Sequence, residues 1–140
     1  MRTTRIVRTV RTSELEGLPL DWAVAKCERL KVARKKRKLF ITGHMYLVDI
    51  PLHLLYGAEK TRGWYTPSTT WALGGRIIEQ RGIDLHNSHY LGADINRTWS
   101  AERVIDNRIF TERGRSPLLA AMRCYVASEL GDEIGLPRGI

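Results

Sequence analysis

Trp64, Tyr65 and Trp71 flank the run Thr66-Pro67-Ser68-Thr69-Thr70, and Gly74, Gly75 and Arg76 follow two residues later. This grouping of types has a chemistry. Ser68 and Thr69 offer hydroxyls, the N–H groups leading into a helix can receive an anion, and Gly74-Gly75 would let backbone come close to a ligand. The rings of Trp64, Tyr65 and Trp71 suit stacking on a base, and Arg76 suits a phosphate. These eight residues are the candidate site for a small anionic ligand such as a nucleotide. The same types also serve structure: tryptophans anchor cores, a hydroxyl caps a helix, and glycines permit tight packing.

A second candidate is the basic run Arg34-Lys35-Lys36-Arg37-Lys38, together with Arg2, Arg5, Arg8 and Arg11. Cations in this density can neutralise nucleic-acid phosphates, each contact adding a salt-sensitive increment. The run has no interleaved aromatics, and neither helix-turn-helix nor zinc-finger spacing is present, so it suits a generic nucleic-acid or host-protein surface better than sequence reading. Its structural alternative is a solvated basic loop.

Other chemistries find little support. His86 and His89 have His-x-x-His spacing, but Asn87-Ser88 between them reads as a turn and no neighbouring Cys or His completes a tetrahedral set. Glu79, Asp84, Asp94, Glu102 and Asp106 are scattered singly, and no order of Ser, His and Asp fits a nucleophile elbow. No catalytic residue, metal set or cofactor motif is named, and the reading favours a binding protein over an enzyme; a nucleotide hydrolase is a weaker alternative. Cys27 and Cys124 each lie among apolar neighbours in helical segments and read as buried free thiols.

All of the net charge sits in one quarter of the chain. Residues 1–38 hold twelve Lys or Arg against four acids, which accounts for the whole +8 of the 140 residues. The basic surface is therefore local. The length fits one domain, 1–140, of about the usual 100 to 150 residues. Charges interrupt every apolar stretch well before the roughly 20 residues of a membrane span, and the arginines near the N-terminus argue against a secretion signal. The expected setting is the host cytoplasm, without a membrane partner; oligomeric state is left open.

The elements that must position these residues are partly legible. Arg5–Arg11 is rich in β-branched residues and predicts an edge strand. Leu20, Ala23, Val24, Cys27 and Leu30 recur at helical spacing over roughly 19–30. Residues 34–38 are expected as an exposed loop, followed by strands over Leu39–Thr42 and Met45–Ile50, a short turn over Leu52–Tyr56 and a polar connection to Gly63. Trp71–Gln80 predicts a short helix in which Gly74 and Gly75 each cost about 1 kcal/mol of propensity. Ile83–His86 reads as a strand, and Trp99 to Phe110 as one or two more. Ser116 as cap, Pro117 and terminal Gly131 frame a helix over Leu118–Leu130 with the stripe Leu118, Leu119, Met122, Val126 and Leu130. Residues 132–140 are expected as a tail. The fold class is α+β: one compact domain with a small, mostly antiparallel sheet packed by an N-terminal and a C-terminal helix.

Three long, gapless blocks carry a family resemblance: Leu20-Asp21-Trp22-Ala23-Val24-Ala25-Lys26, then Tyr65-Thr66-Pro67-Ser68-Thr69-Thr70-Trp71-Ala72-Leu73-Gly74-Gly75, then residues 116–133 from Ser116-Pro117-Leu118 to Gly131-Asp132-Glu133. In that order they resemble the NinX-like family of small phage proteins. The blocks span about half the chain. Against the family pattern, Thr70 stands in place of an acid, Leu73 of a glutamine and Arg76 of a proline, and residues 31–62 form a longer connection. The resemblance implies a compact mixed fold and a phage or prophage accessory protein expressed in a bacterial cytoplasm. It implies no particular activity.

Overall fold

The computed structural model describes residues 5–44, 64–87 and 98–140. In order these contain β1 (Ile6–Arg11), a 3-10 turn (Thr12–Glu14), α1 (Gly17–Cys27), β2 (Leu30–Lys35), β3 (Lys38–His44), α2 (Trp71–Arg81), β4 (Asp84–Asn87), β5 (Trp99–Ile105), β6 (Arg108–Gly114), α3 (Pro117–Leu130) and β7 (Glu133–Pro137). The α+β class holds, but the strands form three antiparallel sheets: β1–β7, β2–β3 and β4–β5–β6. The expected strand at Met45–Ile50 and turn at Leu52–Tyr56 lie outside the described residues.

α3 is the hub. It packs against α1, α2, β5 and β6, and Leu118 to Met122 and Cys124 to Ala127 are all buried. A single apolar stripe therefore understates it; burial runs nearly round the helix, while Leu130 at its end is 38% exposed. Ser116 caps the start by accepting the Leu119 N–H at 3.1 Å, as its type predicts. At the other end the buried Thr12 hydroxyl donates to Gly131 O at 2.6 Å, and the Thr12 N–H donates to Asp132 O at 2.8 Å. The cap carbonyl of Gly131 and the carbonyl just beyond it are thus satisfied from the N-terminal segment.

Three expectations are corrected. Residues 132–140 are not a free tail: β7 pairs with β1, setting Val10 opposite Ile134, and buries Ile134 and Leu136. Gly135 and Pro137 hide this short alternation in the sequence. The α1 helix stops at Cys27 rather than near residue 30, because Arg29 takes a left-handed φ of 59 and turns the chain into β2, where Leu30 is buried as a strand residue. The basic run is exposed but is not a loop: Arg34 and Lys35 end β2, Lys38 begins β3, and only Lys36 and Arg37 form the tip. The flanking apolar residues Leu30, Val32, Leu39 and Ile41 face the core and supply the pairing energy that the charges conceal.

Trp99 to Phe110 resolves into two strands of a hairpin extending to Gly114, with Val104 opposite Ile109. Asp106 and Asn107 at its tip have φ of 49 and 64, the pair of left-handed residues that a tight two-residue hairpin turn demands and that Asp and Asn tolerate.

Gly74 has a physical reason. A Cβ built there would run into the Pro67 carbonyl oxygen and come within 2.6 Å of Leu118 Cδ2, so α2 lies on the 66–70 turn and on α3 at a separation only glycine permits. Gly75 is looser, its nearest neighbour being Trp71 Cε3 at 3.4 Å. Gly74→Ala should therefore destabilise the fold by about 1–3 kcal/mol through overpacking, whereas Gly75→Ala should be neutral or gain up to about 1 kcal/mol of helix propensity. Urea unfolding followed by circular dichroism distinguishes the two, and equal effects would remove the close-approach account.

Candidate functional site

The aromatic bend is assembled around a buried acid. Asp21 lies on the inward side of α1, 5% exposed, and its Oδ1 accepts the backbone N–H of Ser68 at 2.9 Å. The Ser68 hydroxyl, buried and with no partner in hydrogen-bond geometry among the described residues, lies near enough to the same carboxyl to favour its ionised form. Burial dominates, and it pushes the Asp21 carboxyl up to about 6 against those two opposing contacts.

The turn held by Asp21 closes on itself. The N–H groups of Thr69 and Thr70 both donate to Thr66 O, at 3.1 and 2.9 Å, and the Thr66 and Thr70 hydroxyls share a hydrogen bond of 2.7 Å. Thr70 O then accepts from Leu73 and Gly74, starting α2. On the other side the Tyr65 N–H donates to Leu39 O of β3 at 2.7 Å, and Lys38 Nζ sits 4.8 Å from the centre of the Trp64 ring. The tip end of the basic hairpin and the aromatic bend are therefore neighbours, joined by one backbone hydrogen bond and one cation–π contact.

The eight bend residues divide by exposure. Tyr65, Ser68 and Gly74 are buried, and they hold the turn to β3, α1 and α2. Trp64 and Trp71 are 43% and 55% exposed, Thr69 is exposed, and Gly75 and Arg76 are half-buried. Of the five basic residues, Arg34 is engaged: its Nε donates to Lys36 O and its Nη1 to Gly139 O, each at 2.6 Å. Lys38 covers Trp64, while Lys35, Lys36 and Arg37 are exposed and form no ion pair with a described residue. His86 is exposed in β4, and His89 lies outside the described residues.

Sequence reading missed Asp21. The signal was present, since an acid at a position four residues before buried Ala25 and one turn before Val24 interrupts an otherwise apolar helix face. It also missed a polar network across the ends of α1, α2 and α3. The Tyr125 hydroxyl donates to Glu28 Oε2 at 2.8 Å, and Arg81 Nη2 donates to the same oxygen at 2.6 Å. Arg103 Nη1 reaches Glu129 Oε1 and Ser128 Oγ, both at 2.8 Å. The guanidinium carbons of Arg81 and Arg103 lie 5.6 and 5.3 Å from the Tyr125 ring centre. Burial, then the Glu28 charge, drives the Tyr125 hydroxyl upward in pKa; burial likewise raises Cys27, and raises Cys124 to about 12. These groups stay neutral, and Tyr125 and Cys124 tie α3 to Glu28 and to the Phe110 carbonyl of β6.

The fold and this arrangement define a small α+β protein in which three sequence blocks meet in space: the α1 block supplies Asp21, the bend supplies Ser68, and the α3 block supplies Leu118 behind Gly74. The family model described as Bacteriophage P22, NinX matches residues 11–129, and the chain belongs to that family as a phage accessory protein. No curated protein matches the chain. Among the described residues no helix is long and apolar enough to cross a membrane, and no three His, Cys, Asp or Glu side chains gather as a metal set.

The anchoring acid has a pH signature. Asp21 titrates at its ordinary 3.8 when unfolded and at about 6 when folded, so between those values the folded chain binds more protons and stability falls as pH rises, by at most about 3 kcal/mol. Glu112, raised by burial and by Asp132, adds in the same direction, so the decisive quantity is the difference between variant and parent. Asp21→Asn, which keeps the acceptor and removes the ionisation, should flatten the decline between pH 4 and 6.5. Asp21→Ala at pH 4 should cost about 1–3 kcal/mol, because the Ser68 N–H loses its partner. Denaturant unfolding across that pH range provides both numbers, and an unchanged slope in Asp21→Asn would contradict the anchor.

Proposed function

We propose that this phage accessory protein is non-enzymatic, acts in the host cytoplasm, and binds a small phosphorylated ligand, such as a nucleotide signal of host defence, at the bend between β3 and α2. The observation that supports this reading is the seating of Lys38 over Trp64, because it gives the exposed aromatic bend an adjoining cation. Trp64 and Trp71 offer ring faces for a base, while Lys38 and Arg76, with the Thr69 hydroxyl, suit phosphate oxygens. Tyr65, Ser68 and Gly74 act from behind, as supports that hold the turn rigid, and Gly75 keeps the start of α2 open beside Trp71.

Calorimetry against a panel of mono- and cyclic nucleotides tests the proposal. One member should bind saturably; Trp71→Ala should weaken it by roughly 5- to 150-fold, the range of one lost stacking contact, and Lys38→Gln by several-fold. No heat with any member, or affinity untouched by both substitutions, would overturn it.

A second reading draws on the hairpin tip. Lys35, Lys36 and Arg37 are exposed without an ion pair to a described residue, which suits generic phosphate contacts on nucleic acid or an acidic face of a host protein. Changing these three to Gln should abolish salt-dependent retardation of generic DNA or RNA in a gel. Unchanged mobility of the variant, or no retardation of the parent at low salt, would exclude the nucleic-acid form of this reading.

A further inference from the structure

A second cluster of arginines, sharing no residue with either surface, lies where the end of β6 meets α3 and the 3-10 turn. There an open cleft of about 520 Å³ is lined by Ser13, Thr111, Glu112, Arg113, Arg115 and Arg123, among others. Arg123 is set in place by backbone: its Nε donates to Leu15 O and its Nη1 to Arg113 O, each at 2.8 Å. It forms no ion pair with a described carboxylate. Burial lowers its pKa; the Glu112 charge opposes that effect, and the neighbouring Arg115 reinforces it. Arg115 itself pairs with Glu16 at the rim, and the Arg113 side chain is exposed.

Among the lining residues three guanidinium groups stand against one carboxylate, Glu112, with Glu16 paired to Arg115 at the rim and Asp132 acting on Glu112 from beside it, and the hydroxyls of Ser13 and Thr111 belong to the same open cleft. Planar guanidinium donors and hydroxyls arriving from three separate elements suit a tetrahedral oxyanion better than a planar carboxylate. The volume falls within the range of about 300–1,000 Å³ usual for small-molecule sites and leaves room beyond a bare phosphate. We propose that this cleft is an anion site for a phosphate monoester, with Arg123 as the fixed anchor, the exposed Arg113 and the rim Arg115 as further cations, and Ser13 and Thr111 as hydroxyl donors.

The probes are glycerol 3-phosphate, which has no base to stack at the bend, and inorganic phosphate, titrated separately into the ¹⁵N-labelled full chain. Amide shifts of Ser13, Thr111 and Gly114 should move saturably with glycerol 3-phosphate; comparable affinity for inorganic phosphate would assign the recognition to the oxyanion alone, and weaker affinity to the ester as a whole. Arg123→Gln should reduce affinity at least tenfold. Because that variant also releases two structural carbonyls, Arg113→Gln provides the second arm and should weaken binding several-fold with the rest of the spectrum unchanged. No saturable shift at these amides with either probe, or full affinity in Arg113→Gln and Arg123→Gln alike, would overturn the proposal. Shifts confined to residues 64–76 would also overturn it while leaving the bend reading intact.

Discussion

A carboxylate buried inside a small domain is costly unless donors reach it, and among the described residues Asp21 meets only the Ser68 backbone N–H in hydrogen-bond geometry, with the Ser68 hydroxyl close by. That single contact ties α1 to the turn that starts α2. The turn in turn fixes Gly74 against Pro67, and Gly74 sets how closely α2 can lie on Leu118 of α3. Three stretches far apart in sequence are thereby held to one geometry. The incomplete compensation of the charge appears as the raised pKa of Asp21, so the same group anchors the bend and weakens that anchor as pH rises from mild acid towards neutral.

The parts of the fold legible in the sequence were those with local causes. Ser116, Pro117 and Gly131 frame α3 because caps and breakers act within a few residues, and β-branched Ile6, Val7 and Val10 mark β1. What stayed hidden depended on partners distant in the chain. β7 is too short and too interrupted by Gly135 and Pro137 to read as a strand until β1 pairs with it. The basic run looked like a loop because charge says where a side chain ends, not how its backbone is paired, and alternate residues of β2 and β3 still face the core.

The candidate bend was found from residue types, and its internal division was not. Tyr65 and Trp64 are adjacent and chemically alike, yet one is buried beneath β3 and the other lies under Lys38 at the surface. Only the register with Leu39 decides which is which. The same holds for Glu28, Arg81, Arg103, Tyr125 and Glu129, single residues on different elements that become a network where the helix ends converge. Membership of the NinX family accounts for the three sequence blocks together, since the first two meet at Asp21 and Ser68 and the third backs them through Leu118.

The central claim is that the aromatic bend is a rigid support tied to the core through Asp21, not a surface loop. Native-state hydrogen exchange of the Ser68 amide at neutral pH measures this directly. The account predicts protection comparable to the amides in the middle of α3, so that exchange requires opening of the domain. Exchange as fast as that of an exposed loop amide would contradict it and return the bend to an independent surface segment.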